Sequence, residues 1–144
     1  MSFLKKLFGA KPAGPFMEHP SGDFDSAVKA MADAVRRLRE LPRWEEWITF
    51  GAQGEGHGPD SYEFAAVRMR GSSLDAGDKP LDVPRIIQAA RTEAASLVAD
   101  GAHYSVAAAS PQEVAQILDA IFRHHFGIRP FADEGDDYAV GAEW

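Results

Sequence analysis

The chain has 144 residues, 45% of them hydrophobic and 26% charged, with no cysteine and a net charge of −7. That is enough apolar chain for one soluble domain with a real core; it excludes global disorder, a disulfide framework, a thiolate nucleophile and any cysteine-ligated metal, and it fits a reducing cytoplasm. The charge is uneven, +3 over residues 1–43 and −10 over residues 44–144, and so acidic a body repels phosphate backbones, so no nucleic-acid partner is expected over the main surface.

Residues 1–9 can form two short helical turns with Phe3, Leu4, Leu7 and Phe8 on one side and Lys5 and Lys6 on the other. The two lysines break the apolar run, which is too short for a signal peptide or a membrane span. A helix this short is marginal alone and needs a surface to dock on. Three readings compete: a disordered leader, a segment docked on its own domain, and a basic amphipathic foot on a membrane surface or a partner. Residues 10–23, with Pro12, Gly14, Pro15, Pro20 and Gly22, read as a linker. The expected division is therefore an amphipathic segment with a flexible linker over residues 1–22 and a single domain over residues 23–144.

A first helix starts near Asp23–Asp25, carries Phe24, Val28, Met31, Val35, Leu38 and Leu41 at steps of three and four, and ends at Pro42. Arg36, Arg37, Arg39 and Arg43 crowd its last turn, where cations offset the negative helix end. Two strands follow, Trp44 to Ala52 and Ser61 to Gly71, rich in aromatic and β-branched residues. In the second, Tyr62, Phe64 and Ala66 oppose Ala65, Val67 and Met69. The connection from Gly51 to Asp60 is dense in glycine, and residues 71–82 form another loop. A second helix opens at Asp82, with Pro84 in its first turn, and runs through Ile86, Ile87, Ala90, Ala94, Leu97 and Val98 to Gly101. His103 to Ala109 reads as a short strand.

Ser110-Pro111-Gln112-Glu113 reads as a capping box with proline at the first helical position. Val114, Ile117, Leu118, Ile121, Phe122 and Phe126 form one apolar stripe behind it, and Gly127 supplies the left-handed stop. After an acidic loop from Arg129 to Asp137, Tyr138 to Trp144 reads as a final edge strand. The order α-β-β-α-β-α-β predicts an α+β two-layer sandwich: a mixed or antiparallel sheet of about four strands with three helices on one face. Its first six elements, α-β-β-α-β-α, resemble in order alone small bacterial chaperone-like peptide-binding domains, and that resemblance implies peptide binding.

Gly54-x-Gly56-x-Gly58 has the look of a phosphate cradle, but such a cradle must open into a helix, and this one leads into a strand. Glu55, His57 and Asp60 could ligate a metal if the loop folded back, which a mobile glycine loop supports poorly. His124 and His125 are adjacent on the last helix and cannot form a zincin pair; one covers the rim of the stripe and the other faces solvent. Asp133-Glu134-Gly135-Asp136-Asp137 lacks EF-hand spacing, and no nucleophile elbow is present. No catalytic residue, metal or cofactor is assigned.

The aromatics point elsewhere. Rigid aromatics anchor interfaces, and open sheet faces and edges receive other chains. The leading expectation is a non-catalytic protein-binding or adaptor domain, in one form a homodimer. It would use the sheet face or an edge strand around Trp47 and Tyr62, with Phe3, Leu4, Leu7 and Phe8 as a second contact. Two alternatives stand beside it: a metal-assisted or acid–base enzyme built on Glu55, His57, Asp60 and His103, and a membrane-surface regulator held by residues 3–8.

Overall fold

Each of three helices starts on an oxygen that accepts from an otherwise unpaired N–H. In the computed structural model, which describes residues 15–19, 26–56, 61–131 and 137–144, these are α1 (Ala27–Leu38), α2 (Val83–Ala90) and α3 (Pro111–Ala120). Ser26 caps α1 through Lys29 N, and the Asp137 carboxylate adds a second cap on Ala27 N at 3.0 Å. Asp82 caps α2. At α3 the capping box is complete: Glu113 N donates to Ser110 Oγ at 3.2 Å and Ser110 N donates to Glu113 Oε1 at 3.0 Å. No helix of the described residues is long and apolar enough to cross a membrane.

Among the described residues seven strands form a single antiparallel sheet: β1 (Pro15–His19), β2 (Ile48–Glu55), β3 (Tyr62–Arg70), β4 (Ser73–Asp75), β5 (Val98–Asp100), β6 (His103–Ser105) and β7 (Ala139–Glu143), in the order β1-β7-β2-β3-β4-β6-β5. Helix α3 packs against both α1 and α2. Met31, Val35 and Leu38 of α1 and Val114, Ile117 and Leu118 of α3 share one core with Ile48, Phe50, Val67, Met69, Leu74, Val140 and Ala142 of the sheet. The class is α+β, with every paired strand antiparallel.

The strand count exceeds the four expected, for local reasons. A strand at Pro15–His19 lies within the segment read as a linker and pairs with β7, so β7 sits between β1 and β2 and is not an edge. Within the loop expected over residues 71–82, β4 pairs with β3 and β6. Helix α2 stops at Ala90, because Arg91 adopts a left-handed φ of 58°. Leu97 and Val98 therefore leave the helix; Val98–Asp100 pairs with β6 through the two-residue Gly101-Ala102 turn, where Gly101 has φ 63°. Trp44 belongs to a 3₁₀ turn, Pro42–Glu45, ahead of β2.

Past Ala120 the last helix widens into a π turn over Ile121–His125, with Phe126 N donating to Ile121 O. One extra residue per turn moves Phe126 off the stripe. It is 38% exposed, whereas Phe122 is fully buried.

Candidate interaction surface

Strand β3 alternates, and its two sides have different fates. Ala65, Val67 and Met69 face the helices and are buried. Tyr62, Phe64, Arg68 and Arg70 face the other way and are exposed, with Tyr62 at 50% and Phe64 at 47%. The guanidinium groups of Arg68 and Arg70 cannot enter an apolar core unpaired, so they hold their whole side of the strand toward water.

Register carries this outer face across the sheet. Glu55 lies opposite Tyr62, Gln53 opposite Phe64, Gly51 opposite Ala66 and Thr49 opposite Arg68. On the far side of β2, Gly141 lies opposite Gly51. A band of small residues, Gly141, Gly51 and Ala66, thus separates two groups of larger side chains. The face is open along β3 and closed at β7, where Ala139, Gly141 and Glu143 are buried.

The first group is aromatic. Tyr62 meets Phe64 and Phe131 edge-on, at centroid distances of 6.4 and 6.0 Å. The second is cationic and aromatic. Trp47 is flanked by Arg68 and Arg70, 4.7 and 4.9 Å from its ring centre, and His103 meets it edge-on at 5.5 Å. Arg68 also pairs with Asp75 at 2.5 Å. That guanidinium, helped by the backbone N–H of Gly77, holds the Asp75 carboxyl below its usual range.

Trp47 and Tyr62 therefore occupy the same face at opposite ends. They lie about 25 Å apart along the strand direction, at about 3.3 Å per residue. Among the described residues β2 is paired on both sides, whereas β3 pairs with β4 only over Arg68–Arg70, so Tyr62 to Val67 has a strand partner on the β2 side alone; the outermost strands of the sheet are β1 and β5. Phe3, Leu4, Leu7 and Phe8 lie outside the described residues. Phe64, Phe131, Arg68 and Arg70 complete the surface. The alternation in β3 signalled three of them, but nothing local linked Phe131 to Tyr62.

His57 and Asp60 also lie outside the described residues. Glu55 ends β2 and is tied to Arg129, its N–H donating to the Arg129 carbonyl at 2.9 Å. His103 lies against Trp47 at the other end of the sheet, and eight residues along the strand separate Trp47 from Glu55 by about 26 Å. The two are not brought together. Among the described residues no group of three His, Asp or Glu side chains is arranged to hold a metal ion. The glycines of the supposed cradle have packing roles: a Cβ at Gly54 would fall on the Arg129 carbonyl oxygen, and Gly56 lies against the backbone of Ser61 and Tyr62.

The chain matches no protein-family model, no curated protein and no solved structure.

Proposed function

We propose that the protein is a non-catalytic, cytoplasmic protein-binding or adaptor domain that receives a peptide segment of its partner on the open face of the sheet. The observation that supports this is the pair of half-exposed aromatics, Tyr62 and Phe64, on the side turned away from the helices. Exposed aromatics cost solubility and add little to the core, whereas they anchor interfaces at low entropic cost. Trp47 with its two arginines offers a polar contact at the far end. Residues 3–8 are a second contact in this reading, and a homodimer through the same face is one form of it.

The test replaces Phe64 with a photo-crosslinking amino acid in the native host and identifies what is captured. A discrete protein adduct that Tyr62→Ser abolishes, with unfolding temperature unchanged, is the expected result. No adduct above that of an exposed control position such as Ala89 would overturn the proposal. A parallel deletion of residues 1–10 reports on the amphipathic foot; a truncation at Gly22 would also remove β1.

A further inference from the structure

A second place on the molecule gathers basic groups, on the helix side of the fold and independent of the sheet face. The connection after β4 brings Lys79 and Pro80, the first turn of α2 brings Asp82, Arg85 and Ile86, and the π turn brings His124 and His125; together they line a cleft of about 90 Å³. Four of the seven lining side chains are basic, and one is acidic. Several described cations find a carboxylate: Arg36 and Arg37 share Asp33, Arg43 takes Glu46, Arg68 takes Asp75, Arg123 takes Asp119 and Arg129 takes Glu63. Lys79 and Arg85 make no such pair among the described residues. The one carboxylate in the cleft, Asp82, is turned to its own helix, its Oδ1 accepting from Arg85 N.

We propose that this cleft is a binding site for a small phosphate-type oxyanion. Its volume holds one such group or a few waters and falls well below the roughly 300 Å³ at which sites for larger organic ligands begin. Lys79 and Arg85 supply fixed charge, and Arg85 supplies a planar fork that matches two oxygens of a phosphate. His124 and His125 add ring N–H donors. Their bearing is set by the π turn, a local widening often found where a helix serves a site. The groups facing one another across the cleft are Lys79, Asp82, Arg85, His124 and His125. Partial burial and the nearby Lys79 charge hold His125 below the usual histidine range, so in the empty cleft its protonation adds one more uncompensated cation. A bound dianion reverses that cost, because an opposite charge at close range favours the protonated ring.

The test is an NMR titration of the histidine ring signals of the full chain with inorganic phosphate near pH 6, against sodium chloride at matched ionic strength. Expected are saturable shifts of His124 and His125, a rise of about one unit in the His125 titration midpoint and no response from His103. The Lys79→Ala, Arg85→Ala double variant replaces exposed side chains; circular dichroism checks that it folds, and it should lose saturation. Shifts that follow ionic strength alone, that persist in the double variant, or that appear equally at His103 would overturn the site.

Discussion

The guanidinium carbon of Arg43 lies 3.9 Å from the centre of the Trp144 ring, joining the turn after α1 to the last residue of the chain. Arg39 stands over Trp44 at 5.8 Å, and Trp47 has Arg68 and Arg70 against it. Every one of the three tryptophans therefore carries a guanidinium. The arginine-rich end of α1 does more than offset the helix dipole: Arg39 also donates to the Ala109 carbonyl at 2.9 Å, tying α1 to the entry of α3.

Arg43→Met keeps an apolar stem and removes the cation. A cation–π pair at a partly exposed site contributes about 0.5–1 kcal/mol, equivalent to a few degrees in Tm at this chain length. Arg43 also pairs with Glu46 at 2.7 Å, so the aromatic part must be isolated. In a double-mutant cycle with Trp144→Leu, thermal unfolding should show a coupling energy of that size; additive losses would mean that the stacking contributes nothing.

The cap of α3 makes a prediction about acid. Ser110→Ala removes the acceptor for Glu113 N and should cost about 1 kcal/mol at neutral pH in a denaturant titration. Glu113 itself is held below its usual value of 4.5, first by the Ser110 backbone N–H and then by the Ser96 hydroxyl. Asp33 and Asp75 are lowered from 3.8, each chiefly by an arginine. A depressed folded-state pKa contributes stability that is present above the unfolded value and lost as pH falls through the folded one. Stability should therefore decline below about pH 4.5, and Glu113→Gln, which can still close the box, should shallow that decline. An unchanged acid limb in this variant would show that the carboxylate carries no linkage.

Local pairing explains how much of this architecture could be read from residues alone. Both halves of the α3 cap are within four positions, so Ser110 and Glu113 announce it. The stripe of α2 is misleading because Ala94, Leu97 and Val98 continue its spacing by coincidence; Leu97 is buried, but at the approach to a strand, and the Gly101-Ala102 hairpin turn competes with the helical period. The position of β7 was illegible, since its neighbour β1 lies more than a hundred residues earlier and no periodicity records a distant partner. On β3 the alternation was visible, and the side facing the helices is decided by Arg68 and Arg70. The basic cleft had no local signature: its halves come from segments far apart in sequence, and the π turn that aims His124 and His125 is a backbone property.

Tyr138 yields a prediction at the alkaline end. It is fully buried, donates from its hydroxyl to Asp119 Oδ1 at 2.6 Å, and packs edge-on against Phe122 at 6.2 Å. Arg123 donates to the same carboxylate oxygen at 2.9 Å. Burial, and next the Asp119 charge, push the phenol well above its usual value of 10. A raised folded-state pKa contributes stability that is complete below the unfolded value and is lost as pH rises beyond it. The protein should lose stability above about pH 10, with no phenolate absorbance from Tyr138 before unfolding. Tyr138→Phe should cost about 1–3 kcal/mol at neutral pH, as one hydrogen bond to a charged acceptor is lost, and should shallow the alkaline decline. Early titration of Tyr138 in the folded state would contradict the network.

Gly54 offers the sharpest test of why its loop is glycine-rich. It sits near the end of β2, opposite Glu63, where the segment after the π turn crosses the strand and Glu55 N donates to the Arg129 carbonyl. A Cβ at this position would meet that carbonyl oxygen and come within 2.8 Å of Ile128 Cγ2. The obstacle is mostly backbone, so a side-chain rotation cannot relieve it. Ile128 is itself buried at 3% exposure, so the crossing segment cannot lift away without uncovering core. Gly54→Ala should therefore destabilise by about 1–3 kcal/mol, the usual cost of overpacking, and amide exchange should quicken at Glu55, whose bond depends on the crossing. Gly77, with φ 96° and open space where a Cβ would stand, provides the contrast: alanine there meets backbone strain without a clash and should leave Glu55 exchange untouched. Equal exchange at Glu55 in the two variants would mean that Gly54 is a turn residue and not the site of a close crossing.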